Sequence, residues 1–157
     1  MYTFEEWKKN LIIVRGGGDI ATGTIYKLYQ SRFQVLVLEI ANPSCIRRTI
    51  SFCEAVFDKK VEVEGVTAKR AESLEDAFAI YGQGQIPVMI DENGSMIQEV
   101  QPPVVVDAIL AKRNLGTKIT DAPAVIGVGP GFCAGKDVDA VIETQRGHNL
   151  GRVIYEG

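Results

Sequence analysis

Short apolar runs alternate with amphipathic stretches along this chain. Leu11–Val14 and Val35–Leu38 are continuous apolar runs, a pattern typical of parallel strands that are covered on both faces. Between them, Ile20, Ile25 and Leu28 follow the spacing of a helix with one buried face. The segment therefore predicts a strand, a helix and a second strand in succession.

The same alternation continues to the end of the chain and predicts an α/β fold. A short polar helix with Trp7 as its apolar anchor precedes the first strand, and Ser73, with Asp76 three residues later, has the spacing of a helix capping box. Further elements are predicted as a helix from about Asn42 to residue 57, short strands within 58–72, a helix from Ser73 to about Gly82, strands at Ile86–Ile90, Val104–Asp107 and Ala124–Val128, and a strand, a turn and a strand in the tail. This order indicates a single domain over residues 1–157, with helices on both faces of a mainly parallel sheet in three layers.

Composition narrows the class of protein. The 157 residues are 46% hydrophobic, which is enough for a core, and the net charge of −3 gives no reason to expect nucleic-acid binding. No apolar run approaches the roughly 18 residues of a membrane span. The first ten residues are too polar for a signal peptide. We therefore expect a cytoplasmic protein.

The three cysteines are odd in number and form no C-x-x-C pair, which favours reduced thiols over a disulfide framework. Cys45 and Cys53 fit helix packing positions. Cys133 lies in a glycine-rich turn, where it is either a reactive thiol or a buried, inert one. One histidine and three scattered cysteines offer no zinc-ligand spacing, so no metal site is expected.

A glycine-rich turn joins the first strand to the first long helix. Gly16, Gly18 and Ala21 match the G-x-G-x-x-G/A pattern of dinucleotide-binding folds, in which the turn and the helix amino terminus receive a phosphate group. Glu39 ends the second strand at about the distance expected for a partner of the ribose 2′-hydroxyl. We therefore predict a site for an anionic ligand at Gly16 and Gly18.

Asp19 complicates this interpretation because its carboxylate competes with a phosphate for the same N–H groups. It is either the N-cap of the helix or a sign of a bound cation or of a ligand unlike NAD.

Two basic pairs are candidates for neutralising a phosphate or carboxylate. Arg47 and Arg48 lie in the first turn of a predicted helix, where the helix dipole disfavours cations. Lys112 and Arg113 follow the strand that ends at Asp107. The alternative is that both pairs are solvated surface charges.

A second glycine-rich turn spans residues 129–137. It is not a P-loop, since Pro130 stands where that motif has its first glycine and Asp137 where it has a hydroxyl. A backbone anion nest at this turn is possible. His148, the only histidine, shares a polar stretch with Glu143 and Arg146, and is either catalytic or simply exposed.

Four stretches together resemble the selenium-dependent molybdenum hydroxylase system proteins of the YqeB type. They are IVRGGGDIATG, IRRTISFCEAVF, VVVDAILAKRNLGTKITDAPAVIGVGPGF and VIETQRGHNLGRVIYEG, and they cover most of residues 11–157. The resemblance implies a Rossmann-like domain that assists the maturation of molybdenum hydroxylases. Because such proteins usually continue beyond this sequence, we expect the chain to correspond to their amino-terminal domain or to a trimmed form.

The resemblance also selects positions for the site, without assigning a mechanism to them. They are Arg15, Gly16, Gly18, Asp19, Gly23, Arg47, Arg48, Asp107, Lys112, Arg113, Asn114, Gly129, Gly131, Glu143, Arg146 and His148. Among them, Asp107, Arg146 and His148 are the candidates for catalysis.

Three functions remain open at this point. The first is an accessory protein that binds a nucleotide or molybdopterin-nucleotide cofactor and interacts with a molybdenum hydroxylase. The second is an NAD(P)-dependent oxidoreductase, and the third is a scaffold that binds the hydroxylase without a small ligand. Self-association through Met89 and residues 102–113 is a further expectation.

Overall fold

A computed structural model describes residues 2–43, 51–144 and 151–155. The helices are α1 (Phe4–Lys9), α2 (Asp19–Gln30), α3 (Ala55–Asp58), α4 (Leu74–Gly82) and α5 (Ser95–Val100). The strands are β1 (Leu11–Arg15), β2 (Gln34–Glu39), β3 (Lys60–Val63), β4 (Val66–Ala71), β5 (Ile86–Ile90), β6 (Val104–Asp107), β7 (Ala124–Val128), β8 (Ala140–Ile142) and β9 (Val153–Ile154). Single turns of 3₁₀ helix lie at Phe52–Glu54 and Ile119–Asp121.

The described strands form one sheet in the order β3-β4-β5-β2-β1-β6-β7-β8-β9. The seven inner strands run parallel to one another, and among the described pairs only β3–β4 and β8–β9, at the two edges, are antiparallel. The predicted mainly parallel α/β sheet is confirmed. β2 lies on one side of β1 and β6 on the other, so successive strands are added to the sheet first in one direction and then in the other. The boundary between β1 and β6 is therefore a topological switch point.

Alternate residues of β1 supply both layers of the core. Ile12 and Val14 pack with α2 and α3 on one face, whereas Leu11 and Ile13 pack with Trp7 of α1 and with α4 on the other. Every residue of β1 is buried, as expected for a central parallel strand covered by helices on both sides. The three-layer arrangement of the Rossmann-like fold is thereby confirmed.

Local signals set several helix boundaries where the sequence predicts them. The Ser73 hydroxyl accepts a hydrogen bond from the backbone N–H of Asp76, and the Asp76 carboxylate accepts one from the N–H of Glu72. Trp7 is fully buried, so α1 is anchored by the side chain expected to anchor it.

Two parts of the chain differ from the prediction. Helix α5 was not predicted, since its six residues are too few to show a helical period. It begins because the Asp91 carboxylate accepts hydrogen bonds from the N–H groups of Ser95 and Met96. The connection from β6 to β7 has no α-helix, so these two parallel strands are joined by an irregular segment with one 3₁₀ turn.

The cysteines also differ from expectation. Cys53 is disulfide-bonded, whereas Cys133 is a free, half-buried thiol. The prediction of reduced thiols is therefore wrong for Cys53. Cys45 lies outside the described residues. None of the described helices has both the length and the apolar character needed to cross a membrane.

Candidate functional site

The carboxyl ends of β1, β2 and β6 meet at the glycine-rich turn. Gly16 follows β1 with a φ of 101°, and its N–H donates to the Leu38 carbonyl at the end of β2. A Cβ at this position would lie 2.7 Å from the Ala108 carbonyl oxygen, just beyond β6. Gly16 therefore lets the protein's own strands approach each other. The close approach of Ala108 explains why this residue is glycine, and the predicted approach of a ligand is not needed to explain it.

Gly18 has different surroundings. It is the N-cap residue of α2, with a φ of −67°, and among the described residues a Cβ built on it meets no atom within 4 Å apart from its chain neighbours. Its side chain cannot cap the helix, so the amino terminus of α2 receives no side-chain hydrogen bond from its N-cap. Because neither conformation nor packing requires glycine here, the open space at Gly18 is where a ligand could approach the helix dipole.

Asp19 is the first residue of α2, so the interpretation that it is the N-cap is wrong. Its carboxylate Oδ1 accepts a hydrogen bond from the N–H of the next residue, Ile20, at 3.1 Å. Gly23 lies one turn further along α2 and is exposed, and a Cβ added to it would meet no atom within 4 Å.

Glu39 binds the glycine turn directly. Its Oε2 accepts a hydrogen bond from the N–H of Gly17 at 2.8 Å, and its Oε1 accepts one from the N–H of Ile40 at 2.9 Å. Burial raises the pKa of the Glu39 carboxyl, and these two backbone hydrogen bonds oppose that rise. One amide of the turn is thus already engaged by a carboxylate of the protein.

The pKa of Glu39 predicts a pH dependence of stability. Because folding raises this pKa, the stability that Glu39 contributes is fully present below about pH 4 and is lost as the pH rises through the folded-state pKa. Glu39→Gln removes this loss. The free energy of unfolding of Glu39→Gln relative to wild type is therefore expected to increase with pH, as measured by urea denaturation at several pH values.

Exposed Glu99 offers the matched control, because Glu99→Gln makes the same chemical change on α5, away from the turn. A difference between Glu39→Gln and wild type that stays constant with pH would contradict the assignment.

A small cleft lies between these strand ends. It has a volume of about 130 Å³, which is enough for only part of a ligand. Its lining consists of Arg15, Gly16, Leu38, Glu39, Ile40, Asp91, Glu92, Ile109 and Leu115. Three of these residues are acids and one is basic, so the described part of the cleft is not the basic site that the sequence suggested.

Arg15 is part of a buried polar network instead of facing a ligand. It is 5% exposed, and its guanidinium donates to Thr117 Oγ1 at 3.0 Å and to the Glu92 carbonyl at 3.3 Å. The Thr117 hydroxyl in turn donates to Asp107 Oδ2 at 2.5 Å. Thr117 therefore connects two opposite charges that lie side by side in register on β1 and β6.

Asp107 is accordingly placed to support the loop after β6. It is 1% exposed, and its second oxygen accepts a hydrogen bond from the N–H of Ile109. Both of its oxygens are bound inside the protein, and Asp107 is not among the described residues that line the cleft. The geometry adds no support to its candidacy for catalysis.

Asn114, Lys112 and Arg113 lie on that same loop. The Asn114 side chain is used within the loop, accepting from the N–H groups of Gly116 and Thr117 and donating to the Thr117 carbonyl. Lys112 and Arg113 are exposed in the loop that follows the carboxyl end of β6, the same end of the strands as the glycine turn. They are therefore two described cations that a ligand at this end could use.

The second glycine-rich turn packs against this loop. A Cβ at Gly131 would lie 2.8 Å from Arg113 Cα, and one at Gly129 would lie 2.5 Å from Leu110 Cδ2. Both glycines have positive φ values, 95° and 93°. Packing therefore explains them without an anion nest.

Several candidates cannot be placed. Arg47, Arg48, Arg146 and His148 lie outside the described residues. Glu143 is half-buried at the end of β8, where its backbone N–H donates to the Arg152 carbonyl. Among the residues of the described ranges, no group of three or more His, Cys, Asp and Glu could hold a metal ion.

Four residues at this corner of the fold were not predicted as part of the site: Gly17, Thr117, Asp91 and Glu92. Asp91 and Glu92 directly follow β5, and the rule that ligands approach the carboxyl ends of parallel strands would have identified them. No sequence signal distinguishes Thr117, because its role depends on the pairing of β1 with β6.

Comparison with known proteins gives one similarity. The chain is 53% identical over 147 residues to a protein of Escherichia coli (strain K12) named "Uncharacterized protein YqeB". The match covers 94% of this chain and 27% of that protein, so the chain spans about a quarter of the length of that relative. This similarity is consistent with a protein of the YqeB type. No family model and no solved structure matches the chain.

Proposed function

We propose that this domain binds a nucleotide at the amino terminus of α2 and serves as an accessory domain in the maturation of selenium-dependent molybdenum hydroxylases. The observation that carries the binding proposal is the approach to Gly18, which is open among the described residues and has neither a side-chain cap nor a packing reason within them to be glycine. This position adjoins the switch point at β1, where open α/β sheets bind ligands.

Each part of a nucleotide has a partner of suitable chemistry at this corner. The phosphate would meet the N–H groups and positive dipole end of α2. Glu39 has a carboxylate, fixed by two backbone hydrogen bonds, that can accept hydrogen bonds from ribose hydroxyls. Ile40 and Leu115 are apolar and partly exposed in the cleft lining, which suits one face of a base.

The link to molybdenum hydroxylases rests on the sequence resemblance. The acidic lining of the cleft means that a phosphate would bind outside it, with Lys112 and Arg113 as the described cations on that edge. A molybdopterin-nucleotide cofactor and a simple nucleotide share this phosphate and ribose chemistry, so both belong to the proposed ligand class.

Gly18→Val tests the binding proposal. A valine side chain has open space at this position, so the variant is expected to fold while its side chain blocks access to α2. We expect the affinity for ADP, measured by titration calorimetry, to fall at least about tenfold, as for the loss of a main phosphate contact.

Gly82→Val is the matched control. Gly82 ends α4 and has no positive φ, and no described atom outside its own helix backbone lies within 4 Å of its Cβ position. ADP affinity that is the same in Gly18→Val and in wild type, or no binding of ADP to wild type, would overturn the proposal.

An NAD-dependent oxidoreductase is the second candidate, favoured by Glu39 at the end of β2 beside the glycine turn. The same titration with NADH separates the two. Binding of NADH much tighter than binding of ADP would favour the oxidoreductase, since the extra affinity would come from the nicotinamide half.

A further inference from the structure

A second groove lies at the opposite end of the strands from the glycine turn, where β2 and β5 begin. It has a volume of about 370 Å³, within the range of small-molecule sites and larger than the cleft at the glycine turn. Its lining consists of Tyr29, Gln30, Arg32, Phe33, Gln34, Val35, Tyr81, Gly84, Gln85 and Ile86. We propose that this groove binds a neutral, planar heterocycle that carries N–H donors, independently of the nucleotide site proposed above.

The aromatic side chains of the groove are held in place. Tyr81 packs its ring against those of Phe78 and Trp7, with centroid distances of 5.9 and 6.1 Å. The Tyr29 hydroxyl donates to the Gly84 carbonyl at 2.6 Å, which ties α2 to the end of α4. Phe33 is 50% exposed at the groove. Three rings, two of them fixed by the fold, provide flat apolar surface for a planar ligand.

The two helices that border the groove end in the same way, with one difference. In α4 the left-handed residue is Gly84, with a φ of 75°, and in α2 it is Arg32, with a φ of 69°. In both, the residue after it donates back to the last turn, Gln85 to Ile80 and Phe33 to Leu28. Glycine is the less strained choice at such a position, so α2 places a strained arginine at the edge of this groove.

The charges of the groove argue for a neutral ligand. Among the described residues of its lining, Arg32 is the one that carries a charge, so a cationic ligand would find no ion-pair partner there. The carboxyl ends of α2 and α4 border the groove with the negative ends of their dipoles, which disfavours an anion and offsets the charge of Arg32.

The polar groups of the groove argue for donors on the ligand. The lining includes three glutamine amides, from Gln30, Gln34 and Gln85. Within the described ranges, Gln85 Oε1 is buried without a hydrogen-bond partner. A ligand N–H that donates a hydrogen bond to this oxygen would gain binding free energy, because the oxygen gives up no other partner. Aromatic faces combined with amide groups are the usual means of holding a nucleobase-like ring.

The test uses 2-aminopurine as the probe, a neutral purine with an exocyclic amine whose fluorescence is quenched when it stacks on aromatic rings. We expect saturable quenching by the full chain. Phe33→Ala should weaken binding about tenfold, as for the loss of one stacking ring, and Gln85→Leu should weaken it by a smaller factor. Phe57→Ala, which removes another partly exposed phenylalanine outside the groove, should leave it unchanged.

Gly18→Val separates this site from the nucleotide site. Quenching that survives Gly18→Val and is weakened by Phe33→Ala supports the groove as the binding site, whatever the result of the ADP titration. Quenching that is unchanged in both variants would overturn the inference. Quenching that is lost in Gly18→Val and kept in Phe33→Ala would place the purine at the glycine turn and overturn the inference. Absence of quenching at about 5 mM probe would mean a dissociation constant in the millimolar range or above, too weak for a specific site. That result would overturn the inference as well.

Discussion

Thr117→Val is expected to lower the free energy of unfolding by about 3 kcal/mol, although valine has nearly the volume of threonine. The hydroxyl is the link between Arg15 and Asp107, both almost fully buried. Without it, a guanidinium N–H and a carboxylate oxygen each lose a partner where water cannot replace it. Urea denaturation of the two proteins under the same conditions measures the difference.

Thr120→Val is the control for this prediction, since Thr120 is exposed in the neighbouring 3₁₀ turn. Its effect should stay within about 0.5 kcal/mol. If Thr117→Val cost no more than this, the hydroxyl link would contribute nothing to stability and the prediction would be contradicted.

Gly16→Ala is expected to destabilise the protein by about 3 kcal/mol or more, because two costs combine. The φ of 101° is unfavourable for alanine, and the new Cβ would press on the Ala108 carbonyl group, whose position is fixed by the hydrogen bond from the Ala108 N–H to the Arg15 carbonyl. Neither backbone can move without disturbing the pairing of β1 with β6.

Gly18→Ala provides the comparison within the same turn. With an ordinary φ and open space around the Cβ position, it should change stability by less than about 1 kcal/mol. Thermal unfolding of the two variants followed by circular dichroism distinguishes them. Equal losses would mean that Gly16 and Gly18 do not have the separate structural and binding roles described above.

The sequence predicts the sheet well because buried parallel strands leave a direct trace in it. Five strands coincide with short apolar runs: β1, β2, β5, β6 and β7. Each can be recognised from its own residues, without knowing which strands pair with it. Helix α5 leaves no such trace. Its start depends on the Asp91 carboxylate, and its six residues bury only Ile97.

The site is less predictable because its chemistry depends on which strands become neighbours. An acid at the end of β2 is visible in the sequence, and so Glu39 is correctly placed beside the turn. The buried state of Arg15 and Asp107 follows only from the pairing of β1 with β6 and from the loop that brings Thr117 between them. Spacing along the chain treats these charges as candidates for a ligand, whereas the fold uses them to support it.

The antiparallel edges of the sheet limit how copies of this domain can meet. β3 is four residues long and carries Lys60 and Glu62, and β9 has only two residues. A short strand, or one that carries charges as β3 does, is a poor template for a strand from another molecule. Continuous growth of the sheet from one molecule to the next is therefore disfavoured at both described borders.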